Sequence, residues 1–257
     1  MLFFLRKIRR KLLQKNRFTT YLLYALGEIL LVVIGILIAV SLNNWNQSRK
    51  QLIQEAYIIE ELRKEVAANI ELLQFDIQYN IHSLNAAIEM IALVQSEKLI
   101  EERAKADSLL VGVYSVSGFD AITGFIDDVI STGKLEIIRN DTLRYLLSNW
   151  EYQLQDYKDD YGIRNTLIFE QFVPFLQKNY PVVDIIPIYE TIGNHGDYSK
   201  LKASTHAPNL EKLYSLEFEG FLTNHIINQE YLLDESENYI YYLESILHQL
   251  NEEEDGP

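Results

Sequence analysis

Apolar residues fill nearly every position from Tyr21 to Leu42, a stretch that reads YLLYALGEILLVVIGILIAVSL. About 20 apolar residues in a helix cross a hydrocarbon core of roughly 30 Å, and a helix satisfies its own backbone hydrogen bonds there. The pattern then changes without a break, because no proline or glycine lies between Gly35 and Gly112. Leu52, Ala56, Ile59, Leu62, Val66, Ile70, Leu73, Ile77, Ile81, Leu84, Ile88 and Ile91 step by threes and fours, close to the ~3.5 period of a coiled-coil seam. The span is therefore expected to continue into a helix of about 50 further residues, some 75 Å long. A seam this regular needs a second helix against it, from later in the chain or from another copy.

Residues 97–107 are charged and are expected to turn the chain, with Asp107 capping a shorter helix through about Ser115. Ser117 to Asp120 breaks that helix. The next covers Ala121 to Thr132 and ends at Gly133, suited to a left-handed C′ position. Asn140-Asp141 caps a long helix with Leu143, Leu147, Trp150, Leu154, Tyr157, Tyr161, Ile168 and Phe172 near one face, kinked or ended by Pro174. Pro181, Pro187, Gly193, Gly196 and Pro208 mark residues 180–209 as a long surface loop. Asn209 caps a last helical stretch, about Leu210 to Leu250, with Leu213, Leu216, Phe221, Ile226, Leu232, Ile240, Leu243, Ile246 and Leu247 as its core and Gly220 as an interruption. No segment alternates as a strand must, and no internal repeat occurs.

Charge sets the orientation. Residues 1–17 hold Arg6, Lys7, Arg9, Arg10, Lys11, Lys15 and Arg17 and no acid, a charge of +7; the whole chain is −14, leaving −21 for the remainder. Basic residues before a span stay with the cytoplasmic leaflet, while only Arg49 and Lys50 follow it closely. The N-terminus is thus expected in the cytoplasm and the acidic body outside. Leu5, Ile8 and Leu12 share one face of the leader, which can lie on anionic lipid with Arg6, Lys7, Arg9, Arg10 and Lys11 towards the headgroups. An acidic body repels phosphate backbones, so nucleic acid is not an expected partner. The absence of cysteine removes disulfides, thiolate metal sites and thiol nucleophiles. The fold class follows: all-α, with one N-terminal transmembrane helix (21–42) after a basic leader (1–20), continuing into an extracytoplasmic antiparallel helical bundle (43–257). A cleaved signal peptide is the competing reading, with Ala39-Val40-Ser41 as the cleavage site, but the apolar core is longer than the usual 7–15 residues.

Four residues in and after the span are candidate contacts. Gly35 and Ala39 form a small-xxx-small pair that lets two helices approach closely. Glu28 is an acid inside the apolar run, costly unless paired or hydrated. Trp45 is placed for the interfacial aromatic belt. A homo-oligomer or a membrane-protein partner would use the first three.

The remaining chemistry is sparse. Gly112 to Gly118 has the wrong spacing for a nucleophile elbow and no strand before it. Glu244 and His248 lie four apart but lack the second motif of a ferritin-like site. Asp156, Asp159 and Asp160 lack the loop of an EF-hand. His82, His195, His206 and His225 have no spaced partner that specifies a zinc site or a triad. Tyrosines at helical spacing are expected to pack in the core with satisfied hydroxyls. No catalytic residue, cofactor site or metal site is expected.

Two stretches carry a resemblance. FFLRKIRRKLL followed by YLLYALGEILLVVIGILIAVSLNNWN, and FIDDVISTGKLEIIRNDTLRYLLSNW from Phe125 to Trp150, resemble an uncharacterised family of single-span Gram-negative bacterial membrane proteins. The resemblance implies an inner-membrane protein with a helical periplasmic domain and transfers no functional residue. The expected role is a membrane-anchored, non-enzymatic interaction or scaffold protein of the envelope. The alternative is a sensory subunit that binds a ligand outside and couples to another membrane protein.

Overall fold

The computed structural model describes residues 18–115, 117–189 and 198–252. The basic cluster Arg6, Lys7, Arg9, Arg10 and Lys11 and the loop residue His195 lie outside them. Two compact units are present, Met1–Tyr57 and Ile58–Pro257. The described residues form helices and turns and no strand, so the fold is all-α.

Helix α1 (Phe18–Gln95) is unbroken over 78 residues. In the first unit every residue from Leu26 to Leu42 is exposed, Glu28, Gly35 and Ala39 among them, and Trp45 is 65% exposed. The stretch is long and apolar enough to cross a membrane, and none of it is buried in the protein.

In the second unit α1 buries Ile59, Leu62, Val66, Asn69, Leu73, Asp76, Asn80, Ser83, Ala87, Met90 and Val94. The last helix, α9 (Leu216–Glu252), buries Phe218, Leu222, His225, Gln229, Leu232, Ser236, Tyr239, Leu243, Ile246 and Leu250. Both sets alternate steps of three and four. The two helices run antiparallel: Arg63 donates to the Leu250 carbonyl at 2.8 Å, Ser83 Oγ meets His225 Nε2 at 3.0 Å, and Gln95 donates to Glu219 at 3.5 Å.

Helix α2 (Arg103–Tyr114) returns beside α1, with Lys105 bridging to Glu89 at 3.2 Å. Beyond it the chain stays non-helical but keeps the same direction. The Asn69 side chain donates to the Ile122 carbonyl and accepts from its N–H, both at 2.7 Å, as a strand neighbour would. Glu65 then accepts from the N–H groups of Phe125 at 2.9 Å and Ile126 at 3.0 Å. These are two orphan donors of helix α3 (Gly124–Ser131), and a carboxylate there also opposes the positive end of the helix dipole. Gly133 closes the segment at φ 72°.

Helices α4 (Asp141–Ser148), α5 (Trp150–Thr166) and α6 (Val173–Asn179) form the fourth limb. They run parallel to α1, with Tyr157 bonded to Asp76 and Arg164 to Asn80. They run antiparallel to α9: Tyr242 bonds the Leu146 carbonyl at 2.6 Å, and the rings of Phe172 and Phe218 stack at 6.2 Å. Asn140 caps α4 by accepting from Leu143 N–H at 3.0 Å.

Several expectations are corrected. The seam of α1 leaves Leu52 and Ala56 exposed, follows the expected apolar residues from Ile59 to Leu73, and then slips one position, to Asp76, Asn80, Ser83, Ala87 and Met90 rather than Ile77, Ile81, Leu84, Ile88 and Ile91. Ile81 and Ile88 are exposed, while Leu84 is buried beside the seam. Asp107 lies within α2 and does not cap it. The long helix from Asp141 is divided at Asn149, and Pro174 neither ends nor breaks its last part. A wide π-type turn, Leu167–Phe172, precedes it, and the proline sits in the first turn of α6, where no N–H is required. Leu216 is 83% exposed, and Gly220 lies inside an uninterrupted α9. Residues 180–209 carry structure: a 3₁₀ turn at Val182–Ile185, helix α7 (Ile186–Tyr189) and a turn at Tyr198–Lys200. Helix α8 (Leu210–Leu213) follows. Ile185 is buried in an apolar cluster that α1 forms with α2, α6 and α9, with Val182 and Ile188 packed against that cluster.

Replacing Glu65 by Ala leaves two N–H groups of α3 without their acceptor. The expected loss is about 1–2 kcal/mol of unfolding free energy, read by urea denaturation, with Glu65→Gln retaining part of it.

Candidate functional site

Two apolar clusters fill the bundle. One joins α1 up to Leu73 with α3, α4, the start of α5 and the end of α9, and contains Trp150, Tyr157 and Tyr239. The other joins α1 beyond Ala86 with α2, α6, α8 and the start of α9. Between them lies a belt of polar side chains. Asp76, Asn80, Ser83, Arg164, His225, Gln229 and Ser236 are all buried.

Arg164 is the centre of the belt. Its Nη1 donates to Asn80 Oδ1, and its Nη2 donates to the Ser117 carbonyl. Its guanidinium also lies 4.8 Å from the Tyr161 ring centre. Asn80 donates onward to Asp76 Oδ2 at 2.8 Å, and the Tyr157 hydroxyl donates to the same oxygen at 2.9 Å. Burial pulls the Arg164 guanidinium down from its ordinary value, and Tyr161, Asp76 and Tyr157 oppose that shift; a guanidinium stays charged regardless. Burial and Asp76 together push the Tyr157 hydroxyl well above its usual range. The Asp76 carboxylate is thus held by two donors and answers the buried Arg164 cation through Asn80.

Hydrogen-bonding capacity in the belt exceeds what the protein itself satisfies. Asp76 Oδ1, Arg164 Nε, His225 Nδ1 and both amide atoms of Gln229 are buried without a protein partner. Unpaired buried polar atoms are costly, and internal water with two to four hydrogen bonds is their usual partner. Burial and the nearby Arg164 charge lower the His225 imidazole to about 4.

A groove of about 430 Å³ opens on the outer face of α1 at the level of the belt. Its floor exists because position 112 is glycine: an added carbon there would lie 2.6 Å from Ala86 Cβ. Gly118 serves the neighbouring approach, since a side chain there would strike the Tyr161 ring. The stretch first compared with a nucleophile elbow is thus a close-packing segment. Ser115 lines the groove at 6% exposure with its hydroxyl unpartnered.

The other sequence candidates are placed apart from these features. His248 meets Glu252 at 3.7 Å, both largely exposed. Asp156 and Asp159 face solvent, and burial and those two neighbours raise Asp160. His206 is exposed, while His82 lines the groove. Among the described residues no three His, Asp or Glu side chains converge as a metal site. Buried tyrosines are bonded at Tyr157 and Tyr242, whereas the Tyr239 hydroxyl has no protein partner. Sequence reasoning passed over the belt itself. Its signal was present, because Asp76, Asn80 and Ser83, and likewise His225, Gln229 and Ser236, fall at seam spacing.

Arg164→Met removes the buried cation and leaves Asp76 uncompensated, for an expected loss of roughly 3–5 kcal/mol. Adding Asp76→Leu is expected to cost much less than the second single change would alone, which a double-mutant cycle in urea reads. His225 generates a pH effect. Its folded value of about 4 lies below the ordinary 6.5, so its contribution is full above pH 6.5 and is lost as pH falls towards 4. The expected span is roughly 3 kcal/mol. His225→Gln is expected to flatten that part of the stability–pH curve.

No curated protein and no solved structure matches the chain. A family model does, over residues 28–166, from the exposed apolar part of α1 to the last residue of α5. That range holds Asp76, Asn80, Ser115, Tyr157 and Arg164, and stops before α9. It covers more than half of the 257 residues, and the chain belongs to the family of unknown function DUF6090.

Proposed function

We propose that the protein is a membrane-anchored, non-enzymatic interaction protein of the cell envelope. The observation that carries this reading is the bare apolar stretch of α1. Every residue from Leu26 to Leu42 is exposed, with Leu31 at 73%. A monomer in water does not keep so large an apolar surface uncovered, and a bilayer covers a helix of this length. The basic leader and the acidic remainder support an N-terminus in the cytoplasm and a helical body outside the inner membrane. Within the bilayer, Gly35 and Ala39 leave a helix face without bulky side chains, open to a second helix. The leader itself would rest on anionic lipid.

The test is topology. A fusion behind Pro257 to a reporter active only outside the cytoplasm is expected to be active, and the full chain is expected to stay in the membrane after carbonate washing. A reporter active only in the cytosol, or a soluble product starting near Ser41, overturns the reading.

The groove beside the polar belt favours a second reading, a sensory subunit. The segment from Ser115 to Ser117 belongs to both: Ser115 lines the groove, and the Ser117 carbonyl accepts from Arg164. In this reading output passes to a partner membrane protein, with Glu28 as its contact. Glu28→Gln is expected to abolish co-purification of that partner while leaving expression unchanged.

A further inference from the structure

We propose that the groove between α1 and α2 is a binding site for a small neutral carbohydrate. Its volume of about 430 Å³ falls within the range of small-molecule sites. Its walls differ in chemistry. Ala86, Gly112, Val111 and Leu109 make an apolar base, flat where the missing side chain of Gly112 lets the helices meet. Around it stand Tyr79, His82, Asn85 and Ser108, which offer hydroxyl, imidazole and amide groups as both donors and acceptors. A sugar ring has the matching form, with C–H faces and a hydroxyl edge.

Charge narrows the class. Among the described lining residues there is no Lys or Arg, so nothing there neutralises a phosphate or carboxylate. Glu89 is the acid of the lining, and Lys105 bridges to it at 3.2 Å. The rim therefore presents no uncompensated charge to draw a cation.

Ser115 is the independent sign that something sits there. The residue lines the groove, and its buried hydroxyl has no protein partner. A ligand hydroxyl against it would satisfy an atom that the fold leaves unpaired. Because the same segment carries the carbonyl that holds Arg164, occupancy would bear on the polar belt. In that respect the site deepens the sensory reading, yet it can be tested without it.

The full chain, in a detergent without a sugar headgroup, is titrated with N-acetylglucosamine and with maltose and followed by saturation-transfer NMR; glucose 6-phosphate is the charged comparison. The expected result is saturable binding of a neutral sugar in the millimolar range, and at least tenfold weaker binding of glucose 6-phosphate. Ser115→Ala is expected to weaken binding about tenfold without moving the unfolding midpoint. The double variant His82→Ala/Asn85→Ala changes only exposed positions and is expected to weaken binding likewise, which keeps the result readable if Ser115→Ala disturbs the end of α2. The proposal is overturned by no saturable binding of either neutral sugar, by unchanged binding in both variants, or by preference for the phosphate. Sugar binding that leaves capture of a membrane partner unchanged sinks the sensory reading and supports the site.

Discussion

A full positive charge sits in the middle of this bundle, and the helices around it are registered by the need to answer it. Arg164 comes from α5, Asn80 and Asp76 from α1, and the Ser117 carbonyl from the non-helical segment after α2. Sliding any of these by one helical turn would separate donor from acceptor and strand a charge in an apolar interior, at several kcal/mol. Apolar seams alone tolerate such slips, because one leucine layer resembles the next. A single polar layer can select one register and one partner arrangement at some cost in stability, and the belt is placed to do that here, between two apolar clusters.

Polar side chains also explain the connection between α2 and α3. A chain leaving α2 could have turned at once into another helix. It stays extended to reach Ile122, because its backbone finds partners in side chains of α1: Asn69 at Ile122 and Glu65 at the start of α3. The Ser117 carbonyl meets Arg164 on the other side. Gly112 and Gly118 bracket this run, each where a side chain would collide with α1 or with Tyr161. The non-helical segment is thus held by polar side chains of α1 and by Arg164, and its first residue, Ser115, lines the groove.

Much of the fold was legible along the chain. The unbroken α1, the left-handed stop at Gly133 and the caps at Asn140 and Asn209 were all readable, because each depends on residues within a few positions of one another. The error in the seam has a physical cause. From Leu73 onward two stripes run side by side on α1, Ile77, Ile81, Leu84 and Ile88 and, one residue earlier, Asp76, Asn80, Ser83 and Ala87. Periodicity favours the greasier stripe. The fold turns the other one inward, because the fourth limb supplies Tyr157 and Arg164 to meet it. Likewise Leu216 looked like core, but α9 begins its inward spacing two residues later, at Phe218.

What the chain determined by itself is local and compositional: helices throughout, an apolar stretch long enough for a bilayer, and a sharp division of charge between its first residues and the rest. Backbone preference, hydrophobic period and charge need no partner to be read. Only the tertiary structure decided which polar residues are buried, because burial of Asp76, Arg164 or His225 depends on what faces them from helices about 80 to 140 positions away in sequence. The groove is of the same kind, since a glycine, a serine and a histidine become one surface only after α2 has folded back onto α1.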